Sequence, residues 1–365
     1  MGSAEKVSWK RVLILAGAII AFTIGSGFAT GQEIIQYYTA YGVKGLLVIL
    51  VFLVAFLYYN FNFAKAGAEQ KFEKGNDVYK HFCGKYVGTF CDYYSTLFCY
   101  MSFFVMVGGA SSTLHQEYGL PACVGVVVLT ALAVITVVGG LNSMVDAIGA
   151  VGPVIVVLCI AIGVITLIRD GGDVGAGLDI IKNAAYEGAA NGETIKSAGS
   201  NWLVSGLSYA GFVLLWFASF TAALGSNNKK KELNYGIIGG TVAVVMFAQI
   251  SNINTPMIGS SDTFVWNADI PNLILAAKIW KPFSAIFAII VFAGIYTTAV
   301  PLLYIPASRF AKEGTSQFKI LTIVLGVLGL IVGLFLPFRV LVNIIYVLNG
   351  YVGAVLILFM IYKNI

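Results

Sequence analysis

Between Ala21 and Glu33 the chain reads Ala-Phe-Thr-Ile-Gly-Ser-Gly-Phe-Ala-Thr-Gly-Gln-Glu, with three glycines in seven residues of an apolar run. Each glycine weakens a helix by about 1 kcal/mol relative to alanine. Unwinding in lipid leaves backbone groups unpaired at a cost of several kcal/mol each, so a break is tolerated only inside the protein, beside a cavity. There the N–H groups of Gly25, Ser26 and Gly27 are free to hold an anion such as a carboxylate, and freed carbonyls are free to hold a cation. Thr30, Gln32 and Glu33, just past the glycines, favour a break over simple close packing. A second cluster, Gly294-Ile295-Tyr296-Thr297-Thr298, sets two adjacent hydroxyls in an apolar segment. Either they bond back to carbonyls one turn earlier, or with the Gly294 carbonyl they offer oxygen to a small hard cation. A weaker signal, Ser205-Gly206-Leu207-Ser208-Tyr209-Ala210-Gly211-Phe212, opens the second half as the Gly-rich break opens the first. Ionisable groups within a membrane are costly and usually functional; Glu33 and Asp92 qualify. Glu33 could meet a substrate amine, carry a proton or form an outer gate. Asp92 could titrate or rest at the cytoplasmic interface.

Enzyme chemistry is not expected. There are two histidines, His81 and His115, and five cysteines at no metal-binding spacing. No paired catalytic carboxylates, no nucleophile with a base and no metal cluster can be read from the chain.

The elements that must position these residues cross a membrane. Of 365 residues 59% are hydrophobic and 11% charged, and the mean hydropathy is +0.88. A soluble domain keeps about a quarter of its residues charged. Stretches of about 20 apolar residues, enough to span a bilayer, fall at 9–41, 45–63, 87–114, 122–138, 147–168, 202–225, 235–253, 283–309, 318–336 and 340–362. Ten spans place both termini on one side. That side holds 15 of the 22 lysines and arginines, so the termini are expected in the cytoplasm. Topology thereby accounts for the formal charge of +5 without a nucleic-acid partner. Five spans, a long external loop and five more make a single domain over 1–365 with repeats at about 9–168 and 201–362. Five is odd, so the second repeat is inverted, a plan common among secondary transporters. Gly236/Gly240 and Gly329/Gly333 have the Gly-x-x-x-Gly spacing of close helix packing.

Gly27-Phe28-Ala29-Thr30-Gly31-Gln32-Glu33-Ile34 resembles the glycine-rich first span of the YkvI-type bacterial membrane proteins. That family is similar to the amino acid–polyamine–organocation superfamily with the LeuT-like fold. The resemblance implies an all-α bacterial inner-membrane carrier with discontinuous spans 1 and 6. Spans 1, 2, 6 and 7 would rock against a scaffold of spans 3, 4, 8 and 9. It implies a sodium ion held by the carbonyls of Ala21 and Ile24, the Gly294 carbonyl and the Thr297 and Thr298 hydroxyls. Phe28 stands where a second sodium site needs asparagine, so one sodium is expected. It implies a solute pocket walled by Gly25, Ser26, Gly27, Glu33, Tyr209 and Phe212, with Tyr93 or Tyr94 closing over it. The loop over 257–281, with Trp266, Asn267, Asp269 and Pro271, would act as an outer lid. The expected function is sodium-coupled symport of an amino acid or small amine, with a proton-coupled carrier or exchanger, or a non-transporting ligand receptor, as alternatives. The solute and the oligomeric state are not legible.

Overall fold

The computed structural model describes residues 7–23, 25–72, 75–140, 152–170, 175, 178–179, 196–258 and 268–364. Every regular element among the described residues is helical. Helix α1 (Trp9–Thr23) ends where the glycines begin. The Thr23 hydroxyl donates back to the Ile19 carbonyl at 2.7 Å, and Gly25 is extended at φ −78°, ψ −170°. A short helix, α2 (Ser26–Thr30), follows, and Gly31 then turns left-handed at φ 92°, where a side chain would be strained. A π-helical turn (Ile34–Tyr38) and a 3-10 stretch (Thr39–Lys44) complete the first span. The expected discontinuity of that span is therefore present, and it coincides with the Gly-Ser-Gly.

Helix α3 (Gly45–Gln70) precedes α4 (Asp77–Tyr118). The 42 residues of α4 would run about 63 Å if straight, twice a bilayer core. Gly84 breaks it with φ 74°, ψ −179°, and the chain before the break folds back until the Lys80 backbone lies against Gly88. The expected third span, 87–114, lies wholly in the part of α4 after this break. The remaining helices are α5 (Ala122–Gly139), α6 (Gly152–Asp170), α7 (Trp202–Asn227), α8 (Lys230–Ile258), α9 (Pro271–Ile279), α10 (Lys281–Phe310), α11 (Ser316–Phe335), α12 (Phe338–Leu341) and, past a π-helical turn, α13 (Val347–Asn364). Seven of the described helical segments are long and apolar enough to cross a membrane; α1 with α2, α6 and α8 coincide with the other three expected spans.

The helix pairing has the exchange symmetry expected of two repeats. Helix α3 packs on α7 and α1 on α8, so exchanging spans 1 and 2 for 6 and 7 maps one contact onto the other. Helix α4 packs on α10 and α5 on α11, each pair being its own counterpart. Both Gly-x-x-x-Gly pairs sit in helix contacts, the first between α8 and α1 and the second between α11 and α4. Gly236 and Gly240 receive Leu15 and Ile19, and Gly329 and Gly333 receive Phe103 and Val107. Each matches two glycines four residues apart to two side chains four residues apart, the neighbours on one helix face.

The sixth span departs from expectation: α7 is one unbroken helix from Trp202 to Asn227. Its Ser/Gly pattern serves contacts. Ser205 donates to the Tyr37 carbonyl at 2.8 Å and Ser208 to the Val347 carbonyl at 3.3 Å. Gly206 makes room for Val51 and Gly211 for the Gly350 backbone. Hydroxyls that reach outward to neighbouring carbonyls, with glycines that let those neighbours approach, give the same letters as an unwound turn.

Candidate solute and ion site

The break in the first span faces three other spans. A Cβ built on Gly25 would lie 3.9 Å from Thr298 Cγ2, 3.9 Å from the Trp216 ring and 4.0 Å from Met106 Cε. Trp216 comes from α7, Met106 from α4 and Thr298 from α10. The space around Gly25 is thus the meeting point of spans 1, 3, 6 and 8. An aromatic wall continues from it. Phe98 stacks on Trp216 at 5.7 Å, and Phe212 stacks on Tyr346 at 4.7 Å. Phe212 also meets Tyr209 edge-on at 4.9 Å. Two polar atoms in this region, Trp216 Nε1 and Ser102 Oγ, are buried without a hydrogen-bond partner. Ser102 lies one turn from both Phe98 and Met106, hence on the same face of α4. Buried polar groups normally have partners; the Trp216 N–H beside the break is left able to donate to one.

Glu33 belongs to the same region. It is 1% exposed, and its Oε2 accepts from the Tyr209 hydroxyl at 2.8 Å. Its carboxylate lies directly over Gly27, so a Cβ at position 27 would fall on Oε1. Tyr209 is ringed by Phe28, Tyr37, Tyr38, Phe52 and Phe212.

Thr297 and Thr298 both donate to the Gly294 carbonyl, at 2.8 and 3.1 Å. Of the two readings open for this pair, back-bonding is present. Hydroxyls that donate inward keep oxygen lone pairs for a cation, and Thr298 reaches the break beside Gly25. Ala21 closes the last turn of α1, two residues before the helix ends, and Ser26 opens α2. Ile24 lies outside the described residues.

Tyr93 does not join the others. It is 53% exposed, with the Arg309 guanidinium 4.8 Å above its ring. Tyr94 stacks on Phe90 instead of closing over the centre. The third span contributes Phe98, Ser102 and Met106 in their place. Asp92 is buried and paired: Oδ2 accepts from Arg309 at 2.7 Å and Oδ1 from Asn76 at 2.7 Å.

Hydrogen bonds tie the surrounding elements together on two sides of the site. On one side the strand of chain before α9 ties the first span to α4. Gln32 donates to the Ala268 carbonyl at 2.6 Å and Asn272 to the Ala29 carbonyl at 2.8 Å. Ser112 donates to Asp269 at 2.7 Å, and Arg339 pairs with the same carboxylate at 3.1 Å. Gln116 both donates to the Ile270 carbonyl and accepts its N–H. Trp266 and Asn267 of the expected lid lie outside the described residues. On the other side the Tyr79 hydroxyl donates to the Leu215 carbonyl at 2.9 Å, and Thr221 donates to Asn60 at 2.6 Å.

These features define a multi-pass membrane protein with the LeuT-like fold and a broken first span at its centre. The whole chain superposes on the crystal structure of MhsT in complex with L-phenylalanine, at TM-score 0.66 and 16% identity, covering 100% of this chain and 91% of that one. A substrate-bound Na+-coupled sialic acid symporter matches at TM-score 0.54 and 11% identity, over 96% of this chain and 84% of that one. In sequence, the chain is similar to the uncharacterized membrane protein YkvI of Bacillus subtilis (strain 168), 21% identical over 293 residues, 80% of this chain and 78% of the relative. No family model matches the chain.

Proposed function

We propose that the chain is a secondary active transporter that carries a small solute, an amino acid or small amine, by sodium-coupled symport. One observation carries the reading: the first span gives up its helix at Gly25, and that break lies against Thr298, Trp216 and Met106. Such a break frees dipoles for a solute and an ion at one place, although the Gly25 N–H, expected to be free, donates to the Thr23 carbonyl at 3.0 Å. The solute would sit against the backbone of Gly25, Ser26 and Gly27, with Phe212, Tyr209 and Trp216 as its wall and Glu33 at its outer end. The oxygen donors that the resemblance assigns to an ion, the hydroxyls of Thr297 and Thr298 and the carbonyls of Gly294, Ala21 and Ile24, would suit a small hard cation. The ion would supply positive charge that ties the first span to α10. Likeness in fold to MhsT and to a Na+-coupled sialic acid symporter supports an ion-coupled carrier. The chain would lie in a bacterial cytoplasmic membrane with both termini inside, its halves at about 9–168 and 201–362 forming the two repeats.

The test needs no knowledge of the solute. A ligand that binds only the folded form raises stability by mass action. Sodium chloride, compared with choline chloride at equal ionic strength, should raise the melting temperature of the purified full chain. Thr298→Ala should remove that increment while folding normally, because it deletes one hydroxyl and no packing contact longer than a methyl. An equal sodium effect in both proteins would refute the assigned ion site.

A further inference from the structure

Three acidic side chains among the described residues are almost fully buried: Glu33 at 1%, Asp92 at 4% and Glu232 at 6% exposure. Two of them have partners that suit a negative charge. Asp92 holds Arg309 and Asn76. Glu232, in the first turn of α8, accepts the Ser8 N–H at 2.8 Å, where the positive end of the helix dipole also favours an anion. Glu33 has no cation, and the helix start it lies against, that of α2, belongs to a helix of five residues. Its one hydrogen bond comes from a neutral phenol, Tyr209, and no cationic side chain among the described residues pairs with it. The titratable groups around it are phenols: Tyr37 and Tyr38 from its own turn and Tyr209 from α7, with Tyr59 of α3 behind Tyr38. Helix α2, on its other side, has no titratable residue. Helix α8 also packs on that turn, but its titratable residues, Lys230, Lys231, Glu232 and Tyr235, lie in its first two turns, beside Ser8 and Trp9 at the opposite end of the span.

An unpaired carboxylate in such surroundings costs several kcal/mol. A proton on the carboxyl removes the charge, and the arrangement has a place for it. Oε2 is taken by Tyr209, whereas Oε1 lies over Gly27, in the first turn of the short helix α2. We infer that Glu33 is a proton-binding site: in this structure Oε1 carries a proton while Oε2 accepts from Tyr209. Rocking of the first span together with α7 against α4 and α10 opens the site and admits water to Glu33. The O–H bond then breaks, the proton passes to that water, and the carboxylate is left hydrated. Glu33 thereby links the opening of the site to release of a proton, in addition to the ion at Thr298. The link to transport rests on the carrier reading; the protonation itself does not.

Infrared difference spectroscopy of the full chain in liposomes reads the protonation with no solute. The wild-type minus Glu33→Gln spectrum at neutral pH should contain the C=O stretch of a hydrogen-bonded carboxylic acid, shifted in heavy water. Tyr209→Phe keeps the carboxyl and removes its donor, so it should move that band to higher frequency, and this variant serves alone if Glu33→Gln does not fold. Carboxylate bands in place of the acid band overturn the inference, as does an acid band that Tyr209→Phe leaves unmoved. Neither result bears on the sodium increment lost in Thr298→Ala, so the two readings fail separately.

Discussion

Gly27→Ala is expected to destabilise the chain by about 2–3 kcal/mol, the upper range for overpacking a filled site, whereas Gly25→Ala, two residues away, should fold at close to native stability. The added methyl at position 27 would fall on the Glu33 carboxyl, which cannot step aside because Tyr209 holds its other oxygen. At position 25 the methyl meets only ordinary contacts, at 3.9–4.0 Å, and the backbone there, at φ −78°, suits alanine. The decisive variant is the double Gly27→Ala/Glu33→Ala. It removes the group that the methyl strikes, so its melting temperature in detergent should recover well above that of Gly27→Ala. Residues in contact are not additive in this way unless they share the same space. A Gly27→Ala chain as stable as wild type, or a double variant worse than either single one, would show that Glu33 does not lie over the break. Gly25→Ala then reports on function alone: its methyl points between Thr298, Trp216 and Met106, and it should abolish the sodium-dependent rise in melting temperature without lowering the sodium-free value.

How far the sequence carries this site depends on which signals are directional. The break is legible because glycine acts on the backbone, whichever way neighbouring side chains point. The Gly-x-x-x-Gly contacts are legible for the same reason. Which face of a span looks inward is a different matter. A helix with apolar residues all round shows no face preference, and with aromatics at 13% of the chain those toward lipid resemble those toward the centre. Tyr93 and Phe98 illustrate the consequence. Five residues apart, they point about 140° away from each other around a helix, so choosing the tyrosine placed the third-span contribution on the wrong side. Trp216 is one turn past Phe212 on α7 and could have been reached from it, but only the orphaned indole N–H sets it apart from lipid-facing tryptophan. The sixth span shows the opposite limit. Serine and glycine serve an unwound turn and a tight helix contact equally well, and only the partners of Ser205 and Ser208, the Tyr37 and Val347 carbonyls, decide between them.

Arg309→Ala should cost about 2–3 kcal/mol, less than the roughly 3–5 typical of breaking a fully buried ion pair, because the arginine side chain keeps 22% exposure while Asp92 keeps 5%. The loss comes from the acid left behind. Asp92 would retain Asn76 as its one side-chain donor, and the cation above the Tyr93 ring would be gone as well. Asp92→Asn in the same chain removes the stranded charge, so the double variant should be more stable than Arg309→Ala alone. A pair of this kind near one face of a carrier could be a gate or a staple, and its placement decides. A gate must join elements that separate when the site opens. Asp92 lies on α4 and Arg309 in the last turn of α10, and these two helices pack along their length. Neither carries the break in the first span or belongs to the α1–α8 and α3–α7 pairs. The bond therefore fastens the framework against which the other spans would move. It follows that Arg309→Ala should lower the melting temperature and leave the opening of the site unchanged. Labelling of Gly25→Cys by an impermeant maleimide, in a chain without its native cysteines, reads that opening. The same labelling rate with and without Arg309→Ala supports the staple, and faster labelling from one side would make the pair a gate.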